Sequence, residues 1–143
     1  MKPNKRLLKK ILKKIEADRK CWDQQTWHCG TTHCFAGHVS LEVLPKYPEI
    51  KKSEWMSDEG LIQRKEEIYV NQLCRKDDKT AATIDKLADE LNSDRTGLFK
   101  ENTAIIAAYH LGLDGKTARS LFVPSNTLPR LKKKISKIIG EPV

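Results

Sequence analysis

The residues able to do chemistry crowd into one stretch, Asp23-Gln-Gln-Thr-Trp-His-Cys-Gly-Thr-Thr-His-Cys-Phe-Ala-Gly-His-Val39. It holds three of the four histidines (His28, His33, His38) and two of the four cysteines (Cys29, Cys34). Thiolates and imidazoles are the usual zinc ligands, and Cys29, His33, Cys34 and His38 supply four of them. Their spacing is not that of a zinc finger. His33 and Cys34 are adjacent, and neighbours on a helix point about 100° apart, so the pair does not easily share one ion. Cys29, Cys34 and His38 are the most economical metal set, with Cys21 or Cys74 able to complete it. The simpler reading needs no metal or other cofactor. In it Cys34 is a small buried hydrophobe and the histidines lie near the surface.

The same residues could act as a cysteine nucleophile. Gln25 ahead of Cys29-Gly30 at a helix start resembles papain-like proteases. There a glutamine helps to build an oxyanion hole and the helix dipole lowers the thiol pKa. The candidate catalytic set is then Cys29 or Cys34 with Gln25 and His38. Against it stand the spacing and the missing partners. A base normally comes from a later strand with an orienting group behind it, and the only histidine after the motif is His110, inside an apolar run.

These residues must be positioned by a turn and a helix. Gly30 interrupts regular structure, and Thr31 or Thr32 is a good N-cap. The helix expected over Thr31–Leu44 carries Phe35, Val39 and Val43 on one stripe and stops before Pro45. Cys34 and His38, four apart, share a face of it. Cys29 sits just ahead, where the macrodipole favours a thiolate. Ala36 and Gly37 let another backbone approach. An interior glycine costs about 1 kcal/mol against alanine, so Gly37 implies a packing reason.

The pattern Trp27-x-Cys29-Gly30-Thr31-x-x-Cys34-x-Ala36-Gly37 resembles the signature of a family of small uncharacterised proteins from bacteriophages and some bacteria. Three places carry the resemblance. They are the approach Trp22-Asp23-Gln24, the Cys-Gly-Thr-x-x-Cys-x-Ala-Gly segment, and a C-terminal run of Ala107–Leu113, Leu121-Phe122 and Asn126-Thr127-Leu128. Residues of about 45 to 100 are not covered. In that family alanine and tryptophan often replace His33 and His38, which makes the two histidines peculiar to this chain. The resemblance implies no activity.

At 143 residues the chain fits one helical domain of five to seven helices around the Thr31–Leu44 helix, with an irregular insertion at about 45–79. No apolar run is long enough to span a membrane and no signal-peptide core is present, so a cytoplasmic protein with reduced thiols is expected. Asn4 should cap a first helix with Leu7, Leu8, Ile11, Leu12 and Ile15 on one face. That face lacks Trp and Phe, which argues against a membrane partner. Glu66–Cys74 suits strand or helix. Clearer helices follow: Thr80–Leu91, one from Asn102 or Thr103 to Gly112, one capped by Asp114, and a last one capped by Asn126 or Thr127 and ended by Gly140. The first and last helices are expected to pack on the Thr31–Leu44 helix.

The charge of +8 sits at the ends: +7 in residues 1–20 and +4 in 124–143, which leaves the middle at −3. Lys9, Lys10, Lys13 and Lys14 share the outer side of the first helix, and Lys132, Lys133, Lys134 and Lys137 that of the last. Side by side they would form one basic surface for nucleic acid. Lys116 and Arg119 add a second option. The Leu-Gly-Leu turn before them is like that of a helix-turn-helix, whose second helix could read DNA. The leading expectation is a protein-interaction module, a phage accessory protein binding a host protein. In that reading Trp27, Cys29, Gly30, Thr31, Cys34, Ala36 and Gly37 are structural. Nucleic-acid binding comes second and cysteine hydrolysis third.

Overall fold

The structure, a computed structural model, describes residues 2–24, 28–29, 32–92 and 102–143, with the backbone alone at 21, 28, 29, 32 and 33. Among them are seven α helices and one two-stranded ribbon. In order these are α1 (Lys5–Ala17), β1 (His28–Cys29), β2 (Thr32–His33), α2 (Phe35–Val43), α3 (Asp58–Lys76), α4 (Asp78–Leu91), α5 (Asn102–Leu111), α6 (Gly115–Phe122) and α7 (Leu128–Ile139). The mainly α expectation holds.

The centre is shared by α2 and α5, which pack on each other more extensively than any other pair. Both are apolar nearly all round, as a helix surrounded by protein must be. In α5 every residue from Thr103 to Ala108 is buried. That helix touches α1, α2, α3, α4 and α6. Small residues make the α2–α5 approach possible: Ala36 faces a core that includes Ala104, Ala107 and Ala108. The first helix buries Leu8, Ile11, Leu12 and Ile15. It packs on α2, but α7 packs on α1 and α6 rather than chiefly on α2, unlike the expectation.

Two boundaries differ from the sequence reading. The central helix starts at Phe35, not Thr31. Thr32 and His33 are paired in the ribbon, with His28 opposite His33 and Cys29 opposite Thr32. The cap is Cys34, whose Sγ accepts the Gly37 N–H at 3.3 Å. The insertion is irregular only over 44–57, because 58–76 is the longest helix. Ser57 caps it, Asp58 and Glu59 fill its first turn, and Arg75 and Lys76 its last, all favourable to the macrodipole. Its inward stripe runs through Glu66, Tyr69, Val70 and Leu73, and the acidic member hides the period.

Both sharp turns at the C-terminal end depend on glycine. Gly112 has φ +67°, and a Cβ there would overlap the Lys2 carbonyl oxygen. The segment before α1 is laid against this turn by Asn4, whose N–H donates to the Leu111 carbonyl at 2.7 Å. Gly140 closes α7 in the left-handed conformation.

Candidate functional site

The start of α2 is held at a joint made by Gln24. Gln24 is buried and uses its whole amide. Its Oε1 accepts the Phe35 N–H at 3.0 Å and the Trp22 Nε1–H at 3.2 Å. Its Nε2 donates to the carbonyls of Leu121 and Val123, both at 3.2 Å. One side chain thus ties the connector to the start of α2 and the end of α6. The glutamine singled out for catalysis, Gln25, lies outside the described residues, as do Trp27, Gly30 and Thr31. Cys29 and His33 are described by backbone only, so no side-chain geometry joins them to Cys34.

Cys34 is a poor nucleophile where it stands. It is 2% exposed, and burial pushes its thiol up to about 12, with the carboxylate of Glu66 acting in the same direction. A thiolate does not form there near neutrality. His38 is also 2% exposed, which corrects the expectation of a surface histidine. Among the described residues no group of three or more His, Cys, Asp or Glu side chains has the arrangement of a metal site.

Sequence reasoning missed the carboxylate at this junction. Glu66 of α3 is 1% exposed. Ser40 of α2 donates its hydroxyl to Oε2 at 2.6 Å, and Thr103 of α5 donates to Oε1 at 2.8 Å. The carboxylate of α3 thereby ties two further helices, α2 and α5, to its own. A second polar pair lies between α3 and α5, where the Tyr69 hydroxyl meets His110 Nε2 at 2.6 Å. Burial raises the Tyr69 pKa and lowers that of His110, so both groups stay neutral, and the imidazole tautomer decides which of them donates in this bond.

The expected basic surface along α1 and α7 is interrupted. Lys9 pairs with Glu141 and Lys10 with Glu42, while Lys132 pairs with Glu16 at 3.2 Å. Lys13 and Lys14 remain exposed on α1. Arg119 is half-buried and lines no part of the groove described next.

On the other side of α7 lies a groove of about 1220 Å³. It is lined by α6 (Lys116, Thr117, Ser120), α4 (Thr83, Lys86, Glu90) and α7 (Lys133, Lys134, Lys137), with α6 packed on both of the others. Lys86, Lys116, Lys133 and Lys137 are exposed. None of these four forms an ion pair among the described residues. Lys134 is turned inward instead. Its Nζ donates to the Ser120 carbonyl at 2.8 Å and to Asn126 Oδ1 at 2.7 Å, and desolvation lowers its pKa. The Asn126 amide donates to the Ser120 and Leu121 carbonyls, so this residue closes α6 while Thr127 alone caps α7.

Two carboxylates share the groove. Asp114 is committed to capping α6 through the Thr117 N–H at 2.7 Å, and this bond holds its carboxyl below the usual range. Glu90 sits against Gly115, where a Cβ would overlap it. Lys86 is the groove residue the sequence did not indicate.

Comparison with protein families, with curated proteins and with solved structures gives no match for this chain. Two further facts bear on partners. Among the described residues no helix is long and apolar enough to cross a membrane. Trp55, in the stretch before α3, is 90% exposed.

Proposed function

We propose that this protein binds the phosphate backbone of nucleic acid in the groove between α4, α6 and α7. The observation that carries the reading is the convergence of Lys86, Lys116, Lys133 and Lys137 from three helices, none of them in an ion pair among the described residues. The nearby Asp114 carboxylate, kept ionised by the Thr117 N–H with help from Lys116 and Lys86, offsets part of their charge. Ammonium groups in one concave site repel each other, and a polyanion relieves that repulsion while it releases its own counterions. The hydroxyl of Ser120 is a further phosphate donor, while those of Thr83 and Thr117 already donate to the Lys79 carbonyl and to Asp114. The contacts are to phosphate, so the expected affinity is that of sequence-independent binding, about 10⁻⁴–10⁻⁶ M at physiological salt. The test is fluorescence anisotropy with labelled oligonucleotides. Reversing the four lysines to glutamate should abolish binding and leave the helical spectrum unchanged. Unaltered binding by that variant sinks the reading.

A second reading keeps the protein-interaction module expected of a phage accessory protein. Trp55 supports it, because a tryptophan 90% exposed is a frequent anchor in protein interfaces. Capture of a partner that survives nuclease treatment and is lost in Trp55→Ala would favour this reading over the first.

A further inference from the structure

We infer that Lys134 is a positioning residue of the groove: it ties α7 to α6, holds Lys133 and Lys137 in one site with Lys116, and is not itself a phosphate contact. The inference rests on the nucleic-acid reading above. Lys132, Lys133 and Lys134 stand in a row on α7, and on a helix each points about 100° from the next. The fold sends them to different places. Lys132 pairs with Glu16 of α1, Lys133 is exposed in the groove, and Lys134 turns to the end of α6. Lys134 also lines the groove, but two of its three N–H donors are committed, at 2.8 Å to the Ser120 carbonyl and at 2.7 Å to Asn126 Oδ1.

These bonds join the helix that carries Lys133 and Lys137 to the helix that carries Lys116. Ser120 lies in the last turn of α6, whose carbonyls have no partner within the helix and where the dipole favours a cation. Asn126 completes the tie. Its Nδ2 donates to the Ser120 and Leu121 carbonyls while its Oδ1 receives Lys134. Asn126 is buried, carries no charge and lines no part of the groove. The other chief packing partner of α7 is α1. The polar links there, Lys132–Glu16 and Lys9–Glu141, are exposed ion pairs that salt screens. The bond from Lys134 to Asn126 is partly buried and ends on a neutral amide, so salt weakens it less.

Loss of this tie has a signature of its own. If α7 is in place in only a fraction of the molecules, the apparent affinity falls by that fraction. The complex that does form keeps all its phosphate contacts, so the slope of log K against log salt is unchanged. Loss of a phosphate contact instead reduces the slope by about 0.9 on a duplex or about 0.7 on a single strand. A change that only weakens the fold lowers Tm and leaves the affinity of the folded protein as it was.

The experiment is anisotropy with a labelled mixed-sequence oligonucleotide of about 20 residues, as single strand and as duplex, from about 50 to 200 mM salt. It is run where the far-ultraviolet spectrum shows each variant folded. The variants are Asn126→Leu, Lys134→Met, Lys133→Met and, as a control that removes a charge outside the groove, Lys132→Met. We expect Asn126→Leu to weaken binding about 3- to 10-fold at every salt with the slope of the unsubstituted protein, and Lys134→Met to do the same relative to Lys132→Met. Lys133→Met should reduce the slope. Folded Asn126→Leu binding as tightly as the unsubstituted protein overturns the inference, as does Lys134→Met binding like Lys132→Met. A slope reduced in Lys134→Met as in Lys133→Met makes Lys134 a phosphate contact and overturns it too. Should Asn126→Leu not fold, Lys134→Met decides alone. If the unsubstituted protein binds neither probe, or Lys133→Met changes neither affinity nor slope, the nucleic-acid reading of the groove itself fails.

Discussion

Replacing Gln24 by leucine removes four hydrogen bonds while it keeps the side chain's bulk, and their loss is unequal. The Leu121 carbonyl still receives Asn126 Nδ2 at 2.9 Å. The indole of Trp22 is half-buried and can turn to water. The Phe35 N–H is buried and loses its acceptor, which costs about 1–3 kcal/mol. The Val123 carbonyl is partly buried and adds a smaller loss. The sum is about 2–4 kcal/mol, a large share of a typical domain's stability. For a chain of this size that lowers Tm by about 6–12 °C. Gln24→Glu should be at least as damaging, because a carboxylate can accept the Phe35 N–H but cannot donate to the two carbonyls. Urea titration and a thermal scan of both variants measure the effect. A shift below about 2 °C for Gln24→Leu would mean that the joint between α2 and α6 is held by something other than this amide.

Three more expectations follow from the same structure. Gly112→Ala should destabilise by at least about 1–2 kcal/mol in a thermal scan, and removing residues 1–3 should recover only part of it, since the overlap with Lys2 is relieved but the positive φ is not. In native protein at about pH 8 the thiolate fraction at Cys34 is on the order of 10⁻⁴, so mass spectrometry should find its peptide unalkylated under conditions that label it fully in urea; native labelling at the rate of an ordinary thiol would contradict its burial. His110 has a depressed pKa in the folded state, so below the usual value near 6.5 the unfolded chain takes the proton first; stability present above that pH should fall as the solution is acidified, and His110→Gln should flatten the fall in Tm measured at about pH 7.5 and 5.

Helices with a clear cap and period can be read before the structure. Asn4 and Asp114 cap α1 and α6 through their side-chain oxygens, Thr127 rather than its neighbour Asn126 caps α7, and Gly112 and Gly140 end α5 and α7. The start of α2 was misplaced because its cap is a sulfur and one of its orphan amides is satisfied by a glutamine eleven residues away. The third helix was ambiguous because Glu66 occupies an inward position, and its partners Ser40 and Thr103 are distant in sequence. The groove was half legible. Lys133 and Lys137 stand out in the basic C-terminal region and Lys116 in the helix after the Leu-Gly-Leu turn, but Lys86 belongs to an acidic middle and joins them only through packing. The ion pairs that link α1 to α7 and break up the basic surface are likewise tertiary facts.

The position of α1 has a consequence during synthesis. Among the described helices it is made first, yet its apolar face of Leu8, Ile11, Leu12 and Ile15 is completed by α2, α5 and α7, of which α7 is the last of the seven to be made. The growing chain must therefore carry a sticky basic helix through the synthesis of residues 18–139 before all of its neighbours have left the ribosome. That interval, several seconds at about 5–20 residues per second, invites a chaperone or transient docking on the earliest partner available, α2. Moving α1 to a position just after α7 would shorten the wait to almost nothing, and the yield of folded protein would report how much the delay matters.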